Sequence, residues 1–133
     1  MPHLQFEVTE PLADSDVESS TAWVTDLYAE VMATGTGHVA VTVRDEASLA
    51  MGRAGPDEPV AVLDADIRAG RSLDQRRELA AAVIEGVSDR WDVPPENTYV
   101  VYTEHPGEDF VLDEGPLETW AGDESGAGPP GIE

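Results

Sequence analysis

The chain has 133 residues, 41% of them hydrophobic, which is enough for one domain and short of two. Asp and Glu number 28 against 7 basic residues, for a formal net charge of −21, and such a surface repels nucleic-acid phosphates and anionic membranes. Cysteine is absent, which rules out disulfides and thiolate metal sites, and no apolar run approaches the roughly 20 residues of a membrane span. The start, MPHLQFEV, lacks the basic and apolar regions of a secretory signal, so a cytoplasmic protein is expected. The acid is spread over the whole length and lysine is absent, which suits a salt-rich cytoplasm that screens self-repulsion. Full folding of the purified chain in low-salt buffer would contradict that expectation.

Leu4, Phe6 and Val8 alternate with polar residues, the period of a half-buried strand that starts at the amino terminus. Pro11 and the polar run to Asp16 break it. Val17, Val24, Leu27, Tyr28 and Val31 then recur at helical spacing, with Gly35 closing the segment. His38 to Arg44 alternates again, with Val39, Val41 and Val43 on one face. After a loop from Asp45 to Pro59, Val60 to Ile67 reads as a strand. Ser72 and Gln75 form an S-x-x-Q capping box that opens a second helix. Leu79, Val83, Val87 and Trp91 are its apolar stripe, Val93-Pro94-Pro95 stops it, and Thr98 to Glu104 is a fourth strand.

Strand, helix and strand thus occur twice, in pseudo-repeats 2–45 and 59–104. The predicted fold is α/β, a duplicated β-α-β giving one four-stranded sheet with both helices on one face. The other sheet face is bare unless it packs on neighbouring subunits, which predicts an oligomer. The domain is expected over residues 1–115. Residues 116–133 are rich in Gly, Pro and acid and read as a flexible tail whose beginning Leu117 and Trp120 would pin to a neighbour.

Four of the seven arginines, Arg68, Arg71, Arg76 and Arg77, cluster where the third strand turns into the second helix. A helix amino terminus attracts anions, and a guanidinium adds bidentate carboxylate recognition. Arg76 and Arg77, already inside the helix, read better as partners of surface carboxylates. Methionine is generally removed before proline, which leaves Pro2 as a free secondary amine. Nearby positive charge and desolvation lower the pKa of such an amine and make it a base near neutral pH. His105 with Glu104, Glu108 and Asp109 matches no known metal-ligand spacing, and neither a metal nor a cofactor is expected.

On these residues the sequence resembles the tautomerase superfamily, whose fold is a β-α-β duplication and whose base is an amino-terminal proline. From Asp66 to Gly115 it is similar to 4-oxalocrotonate tautomerase without a gap, through Gly70-Arg71-Ser72, Gln75, Leu79, Pro94, Val100, Thr103-Glu104 and Phe110. The resemblance puts Arg71 on the carboxylate-binding arginine and Phe110 on the aromatic lining the site. It replaces a second arginine by Tyr99 and puts Ala61 where a proline would stand. Pro2 is then the catalytic proline. The segment Val39 to Gly55 looks like macrophage migration inhibitory factor.

The pair Arg68-x-x-Arg71 resembles cis-3-chloroacrylic acid dehalogenase, whose histidine aligns with Tyr28 or Glu30, whose tyrosine aligns with Val101, and whose glutamate falls at Leu112 beside Asp113 and Glu114. His105-Pro106-Gly107-Glu108 is similar to malonate semialdehyde decarboxylase. The resemblance implies a homotrimeric tautomerase of a small 2-oxo acid. In that reading Pro2 and Arg71 are catalytic, Arg68, Tyr99 and Phe110 bind substrate, and Tyr99 donates to the carbonyl oxygen. Hydration or decarboxylation with Asp113 or Glu114 activating water, or a non-catalytic oligomeric binding protein, are the alternatives.

Overall fold

A computed structural model describes residues 2–117. Strand β1 (His3–Val8) buries Leu4, Phe6 and Val8 and leaves His3, Gln5 and Glu7 half-exposed, as its alternation requires. Helix α1 (Asp14–Val31) turns Ser20, Val24 and Tyr28 inward at intervals of one helical turn. Its N-cap, Ala13, offers no side-chain acceptor, so Asp14 and Asp16 in the first turn are what favour the positive end of the helix dipole. The helix ends before the predicted closer. Ala33, not Gly35, takes the left-handed conformation at φ 54°, and the Thr34 N–H closes back on the Ala29 carbonyl at 3.0 Å. Fully buried Met32 anchors that turn.

Strand β2 (Ala40–Arg44) follows, then the loop to β3 (Ala61–Arg68). Helix α2 (Leu73–Trp91) opens with both halves of the capping box, the Gln75 N–H donating to Ser72 Oγ at 3.1 Å and the Ser72 N–H to Gln75 Oε1 at 2.9 Å. Leu79, Val83, Val87 and Trp91 are its buried stripe. Asp92, left-handed at φ 55°, ends the helix ahead of the two prolines. Strand β4 (Thr98–His105) completes the main sheet, and a small hairpin of β5 (Val111–Leu112) and β6 (Gly115–Pro116) follows.

The sheet order is β2-β1-β3-β4. The outer pairs are parallel, as each β-α-β unit demands, and β1 meets β3 antiparallel from His3↔Asp66 to Val8↔Ala61. Both helices lie on one face over a single core that unites Leu4, Phe6, Val8, Leu63, Ile67, Val24, Tyr28, Leu79 and Val83. Phe6 meets Trp91 edge-on at 5.3 Å, and the Trp91 indole N–H donates to Ser20 Oγ at 3.0 Å. Between the helices, Trp23 lies flat against Gly86, with the Arg90 guanidinium 4.7 Å over its ring. Gly86 is required there, because a Cβ would come within 2.0 Å of the indole.

The other sheet face carries Gln5, Thr42, Asp64, Asp66, Tyr99 and Val101, with Tyr99 49% and Val101 42% exposed. Ordered structure continues through Leu117, which is buried in its own chain and donates its N–H to the Phe110 carbonyl at 3.0 Å. Met1, Trp120 and the rest of the expected tail lie outside the described residues. Among the described residues, no helix is long and apolar enough to cross a membrane.

Candidate active site

The topology gathers five chain segments at one end of the sheet. Strand β1 begins there, and β3 and β4, running the opposite way, finish there. The last turn of α1 and the first turn of α2 meet at the same end, joined by Gln75 Nε2 donating to the Val31 carbonyl at 3.3 Å. Pro2 is buried at the head of β1, and its carbonyl accepts from the Ala40 N–H at 3.2 Å. Continuing the β1–β3 register by one step sets Pro2 beside Ile67, next to Arg68.

The four clustered arginines separate into two kinds. Arg68, the last residue of β3, is fully buried, and Arg71, just before the N-cap of α2, is 4% exposed. Gly70, at φ 124°, makes the sharp turn between them, while the Ala69 N–H is fixed to the His105 carbonyl at 2.7 Å. Buried guanidinium groups are costly unless they meet anions or acceptors. Arg76 pairs with Glu104 at 3.2 Å on the half-exposed surface, and Arg77 is exposed. Two positive charges and the amino terminus of a 19-residue helix therefore converge near Pro2.

Tyr28, from the last turn of α1, reaches the same region. Burial pushes its hydroxyl up to about 12, with Arg71 and then Arg68 pulling it back, so it is a neutral donor under working conditions. Among the described residues its Oη has no hydrogen-bond partner. The resemblance sets a histidine at Tyr28 or at Glu30, and on the residues alone Tyr28 reads only as part of the helix's apolar stripe.

On the open face, His105 Nε2 sits 2.9 Å from Asp66 Oδ1, and Gln5 Nε2 donates to Asp66 Oδ2 at 3.5 Å. Phe110 stands edge-on to His105 at 5.5 Å, which keeps it at the Arg68 end. The Asp66–His105 pair was not visible in the sequence, because only the β3–β4 register joins two residues 39 positions apart. His105 and Glu104 are thus engaged with Asp66 and Arg76 rather than with each other.

Tyr99 is placed elsewhere. It pairs with Val62 on the open face, six positions from Arg68 along β3, or roughly 20 Å at strand rise. Tyr102, three residues on, faces the helices and donates to the Arg76 carbonyl at 2.8 Å. One chain thus brings Pro2, Arg68, Arg71 and Phe110 to one end of the sheet and leaves Tyr99 at the other. Asp113 and Glu114 are exposed in the β5–β6 turn. A hydrogen bond with Glu114 holds the Asp113 carboxyl below the usual range, with a smaller contribution from His38, which makes it a weaker base. A cavity of about 320 Å³ lined by Thr9, Glu10, Met51, Asp57 and Val60 lies where β1 ends, away from Pro2, and has no cation in its wall.

The comparisons bear on the fold. Residues 62–119 match the family model for tautomerase enzymes. Comparison with curated proteins finds no significant match. Among solved structures, MIF2 of Leishmania major superimposes with a TM-score of 0.75 at 16% identity, over 88% of this chain and 97% of that one. N1, a member of the cis-3-chloroacrylic acid dehalogenase family, gives 0.72 at 24% identity, over 86% and 85%. A fused 4-OT gives 0.70 at 23% identity, over 86% and 94%. The chain has the tautomerase/MIF-like fold from end to end of its described residues, and its second half carries the sequence signature of the tautomerase family.

Proposed function

We propose that this protein is a keto–enol tautomerase of a small 2-oxo acid, with Pro2 as general base once Met1 is removed. One observation carries the reading: Arg68 and Arg71 are buried at the end of the sheet where β1 begins with Pro2. In a chain with 28 acidic residues, two buried cations beside a helix amino terminus suit a small carboxylate. Arg71, with Arg68, holds the substrate carboxylate and stabilises negative charge as it spreads onto the adjoining carbonyl oxygen. The neutral Pro2 amine takes a proton from the enol hydroxyl and returns it to carbon 3, so no proton is gained or lost overall. The same two charges lower the basicity of the amine enough to keep it unprotonated. Phe110 walls the site from water, which strengthens the arginine contacts.

The active form is a homotrimer. Its support is the open sheet face, where Tyr99 and Val101 stand exposed and a neighbouring subunit would cover them. Tyr99 enters a site only as a neighbour's contribution.

The test is ketonisation of phenylenolpyruvate in high salt by the Met1-free protein and by its Pro2→Ala and Arg71→Ala variants. Fast turnover abolished by both substitutions supports the reading. No turnover by folded, Met1-free protein refutes it and leaves hydration, decarboxylation or ligand binding. The absence of lysine allows a second check. Reductive methylation can reach only the α-amine, and its pH dependence should place that amine below the ordinary range of about 7.7–8.0. Sedimentation at high salt checks the trimer.

A further inference from the structure

We propose that Tyr28 is a catalytic residue, donating its phenolic hydrogen to the substrate oxygen on carbon 2 while Arg71 and Arg68 hold the carboxylate. This rests on the tautomerase reading of the same site and adds to it a neutral donor.

The argument starts from hydrogen-bond accounting. A buried hydroxyl without a partner is costly, and folded proteins rarely keep one unless something else uses it. Buried Trp91 is satisfied, donating to Ser20 at 3.0 Å, and the half-buried Tyr102 donates to the Arg76 carbonyl at 2.8 Å. Tyr28 is 0% exposed, and among the described residues its Oη has no hydrogen-bond partner. Phenylalanine would fill the same place in the core at no such cost.

Place supplies the rest. Tyr28 sits in the last turn of α1, which the Gln75–Val31 bond ties to the first turn of α2, beside the turn that carries Arg71. Its hydroxyl lies within the field of both Arg71 and Arg68, in that order of strength. Burial keeps it protonated well above neutral pH, so it donates and does not compete with Pro2 as a base. Two guanidinium groups match the two oxygens of a carboxylate. The third oxygen of a 2-oxo acid becomes an enolate oxygen during proton transfer, and a preorganised donor there acts where charge develops.

The experiment compares wild type with Tyr28→Phe in the full chain at high salt. Three quantities are read: kcat and KM for phenylenolpyruvate, calorimetric affinity for oxalate as a planar dianion probe, and thermal midpoint. Tyr28→Phe should fold with an equal or higher midpoint, since an unpartnered hydroxyl is removed. Its kcat should fall at least about tenfold with KM changed much less, the pattern of a contact strongest in the transition state. Oxalate should bind more weakly to the variant, and its ultraviolet tyrosine difference signal in wild type should vanish. Unchanged kcat and unchanged oxalate affinity overturn the proposal. If wild type binds oxalate without turning over the enol, the tautomerase reading fails while weaker binding by Tyr28→Phe still supports the donor. Binding of oxalate by neither protein overturns the donor as well.

Discussion

Between β1 and α1 the chain reads Thr9-Glu10-Pro11-Leu12-Ala13, and between β3 and α2 it reads Ala69-Gly70-Arg71-Ser72. These turns occupy equivalent places in the duplication, yet they solve the same backbone problem with opposite chemistry. In the first, the Leu12 N–H is met by Asp45 Oδ2 at 2.8 Å, and the helix starts without a side-chain cap. In the second, a full capping box starts the helix and a buried arginine stands where the first turn has Leu12. One turn is closed by an acid from its own chain, and the other presents positive charge. The architecture is shared, but only one of the two equivalent places carries a buried arginine. In the proposed reading the first half supplies Pro2 and the second the arginines, so that neither half would hold the whole site alone.

Copying one turn onto the other tests that contrast. Arg71→Leu makes the second turn resemble the first, and kcat/KM for phenylenolpyruvate should fall by about 100-fold or more. Circular dichroism should show the fold retained. High pH should strain both halves. Burial raises the Tyr28 hydroxyl from 10.0 to about 12 and pushes Tyr102 up as well. Their contribution is complete below pH 10 and is lost as pH climbs through the raised values, because the unfolded chain ionises first. For Tyr28 the loss should reach on the order of 2 kcal/mol, read as a denaturation midpoint that falls above pH 10 and falls less in Tyr28→Phe.

Smaller effects should follow at the helices. Gly86→Ala gains helix propensity but drives a Cβ into Trp23, so a net loss of about 1–3 kcal/mol is expected in urea unfolding. Stabilisation would show that the two helices can part without penalty. Ser72→Ala should cost about 1 kcal/mol through the lost cap. The reverse change in the uncapped helix, Ala13→Ser, should gain several tenths of a kcal/mol, because Ala13 already has the extended backbone of an N-cap. Equal responses at the two positions would erase the distinction between the turns.

Much of the fold was legible because its signals are local. Alternation in Leu4-Phe6-Val8 and the S-x-x-Q box state their structure within a few residues, and β1, α2 and β4 begin within a residue of the expected positions. The end of α1 was misread since glycine is the usual left-handed residue, whereas here the burial of Met32 sets the turn and Ala33 accepts the strain. At the site, clustering exposed Arg68 and Arg71 against an acidic background, but sequence could not divide them by burial from Arg76 and Arg77. Tyr28 was hidden because a tyrosine on an apolar stripe looks like core, and only the lack of a partner for its hydroxyl distinguishes it. The distance of Tyr99 from Arg68 follows from strand register, which one chain's alternation does not specify.

The antiparallel seam between β1 and β3 also has a consequence for the order in which the molecule is made. Each parallel unit closes over its own helix, but the seam joins partners about 60 positions apart, and such contacts pay their loop entropy before they return any energy. Pro2 is held within its own half by the Ala40 N–H, but only the seam brings it beside the end of β3. In refolding, helix signal should therefore return before turnover does, and catalytic competence should be the last property that a newly made chain acquires.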